Sequence, residues 1–235
     1  MSIISSNYIY PGATMLTSTD LIRVVIVDDH AMLVDSLVSR FKMDSGIDVV
    51  GTATDSDEGL ALILETEPDV VILDVEVPGR GSFDIAQDIT TKLKNTKMIF
   101  LTGYLSDIFI ELALRVNAVG YLLKGEPIES LIHAIKKADR GEYCFSQSVQ
   151  ERLVFDHKQN RYLIHSDSML SSLTSRQIEV LRHLARGMSV KEVARSMHLS
   201  EKSIDSHKYR IMHKLGIHDR VELARYSIRE GLTLP

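Results

Sequence analysis

The sequence predicts two domains: an α/β domain with a five-stranded, parallel, doubly wound sheet, and a small all-α domain of four helices. Strand and helix patterns alternate five times between residues 21 and 141, which is typical of a parallel sheet covered by helices on both faces. Residues 169–235 show only helical periodicity. Charge changes at the same place, because residues 1–168 carry 15 basic and 25 acidic side chains, whereas residues 169–235 carry 12 and 7.

The apolar patterns give each element of the first domain. Short runs rich in β-branched residues predict buried strands at 21–27, 49–53, 69–73, 97–101 and 120–123. Apolar residues at helical spacing predict helices at 31–41, 56–65, 83–93, 107–116 and 127–140. Ser56 is the expected N-cap of the second helix. Residues 1–20 are interpreted as an N-terminal extension, because they are rich in serine and threonine and lack the pattern of a signal peptide.

The remainder of the chain divides into a linker and a helical domain. Residues 142–168 are polar and predict a linker, in which a strand near 161–165 stays an open question. In residues 169–235, two short helices are joined by a tight turn, and the second of them is basic. This arrangement predicts a helix-turn-helix. The expected helices begin at Thr174 or Ser175 and after Ser189, and continue at 201–214 and 220–229.

Two buried strands end on carboxylates: Asp28 and Asp29 follow the first strand, and Asp74 follows the third. The carboxyl ends of parallel strands meet at one edge of a sheet, where open α/β sheets bind ligands. Like charges held close together need a neutralising cation. Because Mg²⁺ prefers oxygen ligands, we expect a magnesium site formed by Asp28, Asp29, Asp74 and a backbone carbonyl near Glu76.

One carboxylate of this group is available for chemistry. Asp74 is the predicted nucleophile for a phosphoryl group, since carboxylates form such covalent intermediates. Thr102 and Lys124 follow the fourth and fifth strands, so they belong to the same edge. Lys124 is expected to offset charge on the phosphoryl oxygens, and Thr102 to hydrogen-bond one of them. His30 is expected to pack at the start of a helix.

Residues 21–141 resemble the receiver domain of two-component response regulators. The motifs that carry the resemblance are Val-Asp28-Asp29-His, Leu-Asp74-Val-Glu-Val-Pro-Gly, Leu-Thr102-Gly and Tyr121-Leu-Leu-Lys124, in this order at successive strand ends. The resemblance implies that a histidine kinase donates the phosphoryl group to Asp74. It also implies that Thr102 and Tyr121 shift together and move the face formed by the helix at 107–116 and the strand at 120–123.

Residues 169–235 resemble the LuxR-type DNA-binding domain. The resemblance rests on Leu173-Thr174-x-Arg176-x-x-Glu179-Val-Leu, Gly187, Glu192-Val-Ala, Leu199-Ser-x-Lys202-Ser-Ile-x-x-His207 and Lys214-Leu-Gly. The whole chain therefore resembles a transcription regulator of the NarL/FixJ type. This implies binding to double-stranded DNA as a homodimer, and phosphorylation that controls this binding.

The third helix of the second domain is the expected recognition helix. Its cations are expected to hold phosphates and its outward polar stripe to meet base edges. Asp205 leaves two interpretations open: it accepts a hydrogen bond from a cytosine amino group, or it caps the helix or pairs with Lys208 or Arg210. The predicted DNA-binding residues are Lys202, Asp205, Ser206, Lys208, Tyr209 and Arg210.

Two other functions remain open at this stage. An aspartyl-phosphate hydrolase would need a general acid two residues after Asp74, where Glu76 is a poor substitute for aspartate. A receiver that gates protein contacts, with a weak or vestigial DNA-binding tail, is the other alternative. We expect that the protein accepts a phosphoryl group but is not an enzyme. At most, it phosphorylates itself and slowly removes its own phosphoryl group. One cysteine and no apolar run of membrane-spanning length fit a cytoplasmic protein without a membrane partner.

Overall fold

The structure is a computed structural model that describes residues 21–44, 46–164 and 168–233. The N-terminal extension predicted at 1–20 lies outside the described residues. Within the described ranges, no helix is both long enough and apolar enough to cross a membrane.

The α/β domain is built on a parallel sheet with the strand order β2-β1-β3-β4-β5-β6. The five predicted strands are confirmed, and β6 is an additional edge strand from the predicted linker. Its two residues are too few to give a periodic signal in the sequence. The strands are β1 (Ile22–Val27), β2 (Ile47–Ala53), β3 (Val70–Leu73), β4 (Lys97–Thr102), β5 (Gly120–Leu123) and β6 (Cys144–Phe145).

Five helices cover both faces of this sheet and create a core on each side. Val25 and Val71 face one core, and their neighbours Ile26 and Ile72 face the other, since side chains alternate along a strand. Strand β1 pairs with β2 on one side and with β3 on the other. The order in which the chain adds strands to the sheet therefore changes direction between β1 and β3. The carboxyl ends of β1 and β3 therefore border the crevice in which ligands bind. The helices are α1 (Ala31–Phe41), α2 (Ser56–Thr66), α3 (Ser82–Lys92), α4 (Asp107–Arg115) and α5 (Ile128–Asp139).

The N-terminus of α2 differs from the prediction. The Asp55 carboxylate, not the Ser56 hydroxyl, accepts hydrogen bonds from the amides of Asp57 and Glu58. Ser56 is instead buried as the first helical residue, and its hydroxyl donates to the carbonyl of Arg80 at 2.9 Å. Asp55 is the better cap because its carboxylate also carries a charge that favours the positive end of the helix dipole.

The linker contains regular structure. After a short helix, α6 (Gln147–Gln150), the strands β7 (Leu153–Asp156) and β8 (Arg161–Ile164) pair as an antiparallel hairpin. The Tyr162 ring lies 5.1 Å from that of Tyr143 and 5.2 Å from that of Phe145, measured between centroids. Aromatic contacts therefore hold the hairpin against the edge of the first domain.

The second domain has the four predicted helices. Its expected recognition helix, α9 (Glu201–Leu215), buries Ile204, Ile211 and Leu215. Thr174 and Ser189 each form a capping box at the start of their helices. The helices are α7 (Ser175–Ala185), α8 (Val190–Ser196), α9 (Glu201–Leu215) and α10 (Arg220–Arg229), with a short 3-10 turn at Met169–Ser172 before them.

We predict that Gly120→Ala destabilises the first domain by about 1–3 kcal/mol, because overpacking a close contact has costs of that size. A Cβ atom at Gly120 would lie 2.7 Å from Cys144 Sγ and 2.9 Å from the Cys144 carbonyl oxygen, so β6 would have to move. Urea denaturation gives the measurement. The control is Gly125→Ala, where a Cβ atom would meet nothing within 4 Å. Equal midpoints for the two variants would contradict the tight β5–β6 contact.

Candidate functional site

Three predicted acids converge at the carboxyl ends of β1 and β3. Asp28 and Asp74 are each 2% exposed, and Asp29 beside them is partly open to solvent. The Asp74 amide donates to the Val27 carbonyl at 2.9 Å, which joins the two strand ends directly. Ligand atoms of Asp28, Asp29, Asp74 and His30 all lie within 4.8 Å of one another. The structure therefore brings together the acids that the sequence placed at one edge.

Lys124 lies between the two buried acids. Its Nζ atom is 2.7 Å from Asp74 Oδ2 and 2.8 Å from Asp28 Oδ2. The position follows from β5, because the Lys124 amide donates to the Thr102 carbonyl at the end of β4. The ammonium group thus neutralises part of the negative charge that sequence reasoning had assigned to a metal ion alone.

The surroundings shift the pKa values of Asp74 and Lys124. Burial raises the pKa of Asp74 to about 6, with Asp28 adding to the effect and Lys124 opposing it. Burial also disfavours the charged form of Lys124, but the carboxylates of Asp74 and Asp28 outweigh it and raise the pKa of the ammonium. Above the pKa of Asp74, the site holds an ionised carboxylate that water solvates poorly. Such a group suits attack on an electrophile or ligation of a cation.

The acids fit a magnesium ion in their chemistry. Asp28, Asp29 and Asp74 supply carboxylate oxygens, which are the ligands that Mg²⁺ prefers. The Glu76 carboxylate is not part of this group, so only the backbone carbonyl remains as the predicted ligand from that residue.

His30 lies at the start of α1, as expected, but its side chain does not pack there and instead takes part in the acid cluster. Its ring nitrogen Nδ1 lies 3.0 Å from Asp28 Oδ1 and 2.8 Å from Asp29 Oδ1. The side chain is 61% exposed, because α1 begins only at Ala31 and leaves the ring over the acids. Its place directly after an acid pair was the signal that sequence reasoning undervalued.

The predicted switch residues Thr102 and Tyr121 are both fully buried and meet at a third residue, Tyr104. Thr102 Oγ1 accepts a hydrogen bond from the Tyr104 amide at 3.3 Å. The Tyr121 hydroxyl donates to the Tyr104 carbonyl at 2.7 Å. Sequence reasoning missed Tyr104, although it lies only two residues after Thr102.

The two domains meet beside the acid cluster. Arg182 in the last turn of α7 and Arg186 just after the end of the helix both donate to the carboxylate of Glu76. Arg186 also donates to the Tyr104 hydroxyl at 2.5 Å, and the Arg182 guanidinium lies 5.1 Å from the centre of the Tyr104 ring. We call these four residues the domain clasp. Burial would raise the pKa of Glu76, but Arg182, Tyr104 and Arg186 together lower it, so the clasp holds an ionised carboxylate.

A second contact brings α7 against the start of α3. Glu179 is 7% exposed, and its carboxylate packs so closely on Gly81 that a Cβ atom there would lie 1.5 Å from Oε1 and would displace the side chain. Glu179 Oε2 accepts from Arg176 at 3.0 Å, whereas no hydrogen-bond partner for Oε1 is found in the described part of the chain. Burial, and then the charge of Asp84, raise the pKa of Glu179 to about 7.

A cavity of about 200 Å³ lies between the domains at the mouth of the acid cluster. The first domain contributes Asp29, His30 and Glu76 to its wall, and the C-terminal end of α7 contributes Arg182 and Arg186. The second domain therefore borders the acid cluster on this side.

The outward stripe of the recognition helix α9 is open to solvent. Tyr209 is 73% exposed, and Lys208 is the one partly buried member of the predicted set. The other predicted DNA-binding residues are exposed: Lys202, Asp205, Ser206 and Arg210. In this arrangement the first domain does not cover the outward stripe of α9.

Comparisons with known proteins match both domains. Residues 24–136 match the response regulator receiver domain, and residues 171–227 match the bacterial regulatory proteins of the luxR family. The transcriptional regulatory protein YxjL of Bacillus subtilis (strain 168) is 31% identical over 213 residues, which cover 91% of this chain and 98% of that protein.

Solved structures agree with the fold. One of the RcsB response regulator of Salmonella typhimurium has a TM-score of 0.67 and 23% identity, covering 88% of this chain and 96% of its own. A structure of an RcsB–DNA complex has a TM-score of 0.54 and 25% identity, with coverage of 88% and 97%.

We predict that Glu179→Gln reduces the pH dependence of stability near neutrality. Because the folded-state pKa is raised to about 7, the folded chain holds a proton that the unfolded chain releases at lower pH. The stability from this group is full below the unfolded-state pKa of about 4.3, and is lost as pH rises through the folded-state value.

The measurement is the urea midpoint between about pH 5 and about pH 8, a range that spans this loss. The wild type should lose more stability across the range than Glu179→Gln, which cannot ionise. Glu65→Gln is the control, because Glu65 is exposed and forms no ion pair with any described residue. Parallel curves for the wild type and Glu179→Gln would show that Glu179 does not titrate at the interface.

Proposed function

Because the chain belongs to the two-component response regulators that join a receiver domain to a LuxR-family DNA-binding domain, we propose that phosphoryl transfer to Asp74 controls its binding to double-stranded DNA. A histidine kinase is the donor, and transcription is the process that is regulated. The observation that carries the proposal is the buried Asp74 carboxylate, held 2.7 Å from Lys124 beside Asp28.

The geometry accounts for each step at Asp74. An ionised Asp74 oxygen attacks phosphorus, the bond from phosphorus to the histidine nitrogen breaks, and the imidazole keeps the electron pair. Asp28, Asp29 and Asp74 would hold Mg²⁺, and the ion would supply positive charge that offsets the phosphoryl oxygens. Lys124 exchanges a carboxylate partner for a phosphoryl oxygen, so its charge stays paired throughout.

Glu76 favours a phosphoacceptor over a phosphatase. An aspartyl-phosphate hydrolase would require a proton-donating acid two residues after the nucleophile. The Glu76 carboxylate is bound by Arg182 and Arg186, and its pKa is lowered, so it stays ionised and has no proton to give.

Tyr104 connects the acid cluster to the second domain. Thr102 Oγ1 accepts from the Tyr104 amide, so a shift of the Thr102 hydroxyl towards a phosphoryl oxygen on Asp74 would act directly on Tyr104. Tyr104 in turn contacts Arg186 through its hydroxyl and Arg182 through its ring. A change at Thr102 therefore reaches the domain clasp through one residue, which supports a shift between docked and released domain arrangements.

In this proposal, phosphorylation controls DNA binding by releasing the docked second domain, and not by uncovering the recognition helix. The outward stripe of α9 is already exposed, so docking limits how the second domain is oriented rather than whether DNA can touch it. Val221 and Ile228, seven residues apart on α10, are 63% and 40% exposed. They form an apolar strip on which two copies pair across a two-fold axis on DNA, once the domains are free to reorient.

We predict that Asp74→Asn abolishes labelling of the full chain by a small phosphodonor with Mg²⁺, because the amide is not a nucleophile for phosphorus. Labelling is measured by intact mass and by phosphate-affinity electrophoresis. Asp35→Asn, at an exposed position on α1, should label like the wild type. Full labelling of Asp74→Asn would place the acceptor elsewhere.

We predict that Arg186→Gln and Glu76→Gln each increase amide hydrogen exchange in α7 about tenfold, because a charge-assisted hydrogen bond contributes about 1.5–3 kcal/mol. The effect of the double variant should be smaller than the sum of the two single effects in free energy, since both single variants remove the contact between Arg186 and Glu76. Arg195→Gln on α8 is the control, because Arg195 is exposed and forms no ion pair among the described residues. Fully additive effects would argue against the clasp.

A further inference from the structure

The recognition helix carries one acid on the stripe expected to face bases. Lys202, Asp205 and Tyr209 follow one another at three- and four-residue spacing on α9, and all three are exposed. A carboxylate at the centre of such a stripe is repelled by the phosphates that Lys202 would attract. Asp205 therefore weakens binding unless it gains something at the base edges.

The structure leaves Asp205 without the local interactions that would explain it. Ser200, not Asp205, caps α9, and its hydroxyl accepts from the Ser203 amide at 3.1 Å. Among the described residues no basic group forms an ion pair with Asp205, although Lys208 and Arg210 lie on the same helix. By contrast, Arg115 pairs with Glu111 on α4 at four-residue spacing. Among the described residues, Asp205 therefore neither caps the helix nor pairs with Lys208 or Arg210.

The chemistry of base edges then selects one partner. An ionised carboxylate only accepts hydrogen bonds. In the major groove, guanine presents two acceptors, and thymine presents an acceptor and a methyl group. Adenine offers its amino group beside the N7 acceptor, which would face the second carboxylate oxygen. Cytosine offers its N4 amino group with no acceptor next to it.

On these grounds we propose that Asp205 specifies a cytosine in the target half-site by accepting a hydrogen bond from the N4 amino group. This inference rests on the proposed DNA binding through α9 and adds a base to it. The flanking cations hold the backbone, while Asp205 disfavours every base that presents an acceptor at this position.

The test uses the full chain and has two parts. Selection from random duplexes first gives the preferred half-site of the wild type and of Asp205→Asn. The wild type should select cytosine at one position of the half-site. Asp205→Asn should change that position to adenine, because an amide donates to N7 and accepts from the N6 amino group.

The second part removes the amino group from the DNA. When 2-pyrimidinone, which lacks N4, replaces the selected cytosine, wild-type affinity should fall about tenfold, the size of one base contact. Asp205→Ala should bind the two duplexes equally. Glu201→Gln is the charge-matched control on the same helix. It should strengthen binding to all sequences alike and keep the cytosine preference.

Three results would overturn the proposal. Asp205→Ala could select the same sequence as the wild type with uniformly higher affinity, which would make Asp205 merely repulsive. The wild type could bind with strong salt dependence but without base preference, which would remove the base reading and keep DNA binding. No binding at low salt would remove both this inference and the DNA-binding function on which it rests.

Discussion

The contact of Lys124 with two buried carboxylates is the interaction on which the rest of the structure depends. Asp28 and Asp74 are almost completely buried and lie side by side, an arrangement that costs free energy without a counter-charge. The ammonium group is within 2.8 Å of both. It offsets the cost of burying the two acids, yet the pKa of Asp74 stays raised, at about 6. A site of this kind is stable and still reactive.

The sheet topology explains why the sequence predicted this site well. The acids, the threonine and the lysine each follow a short buried strand, and parallel strands bring such positions to one edge regardless of their separation in the chain. Periodicity therefore placed Asp28, Asp74, Thr102 and Lys124 correctly. The same reasoning found the four helices of the second domain, because their caps and apolar stripes are local signals.

Periodicity and motifs could not predict the contacts between the domains. Glu76 and Arg186 are 110 residues apart, and neither has a periodic or motif-based signal that points to the other. The contacts of Tyr104 and Glu179 could not be predicted either, because their surroundings come from elements of both domains. The edge strand β6 and the linker hairpin were too short or too polar to stand out. Local patterns predict elements, whereas the pairing of two finished surfaces depends on shape and charge in three dimensions.

The positions of Glu76 and Tyr104 support the proposed route from the acid cluster to the DNA-binding domain. Glu76 lies two residues after Asp74, and Tyr104 lies two residues after Thr102, so each is one step from the reacting groups. Both are held by the two arginines at the C-terminal end of α7, Arg182 in its last turn and Arg186 just after it. If Asp74 is phosphorylated as proposed, negative charge is added next to this clasp and Thr102 is drawn towards it, so both partners of the same arginines change at once. Because the arginines bind a carboxylate and a hydroxyl that belong to separate loops, small movements of either loop are enough to weaken the docked arrangement.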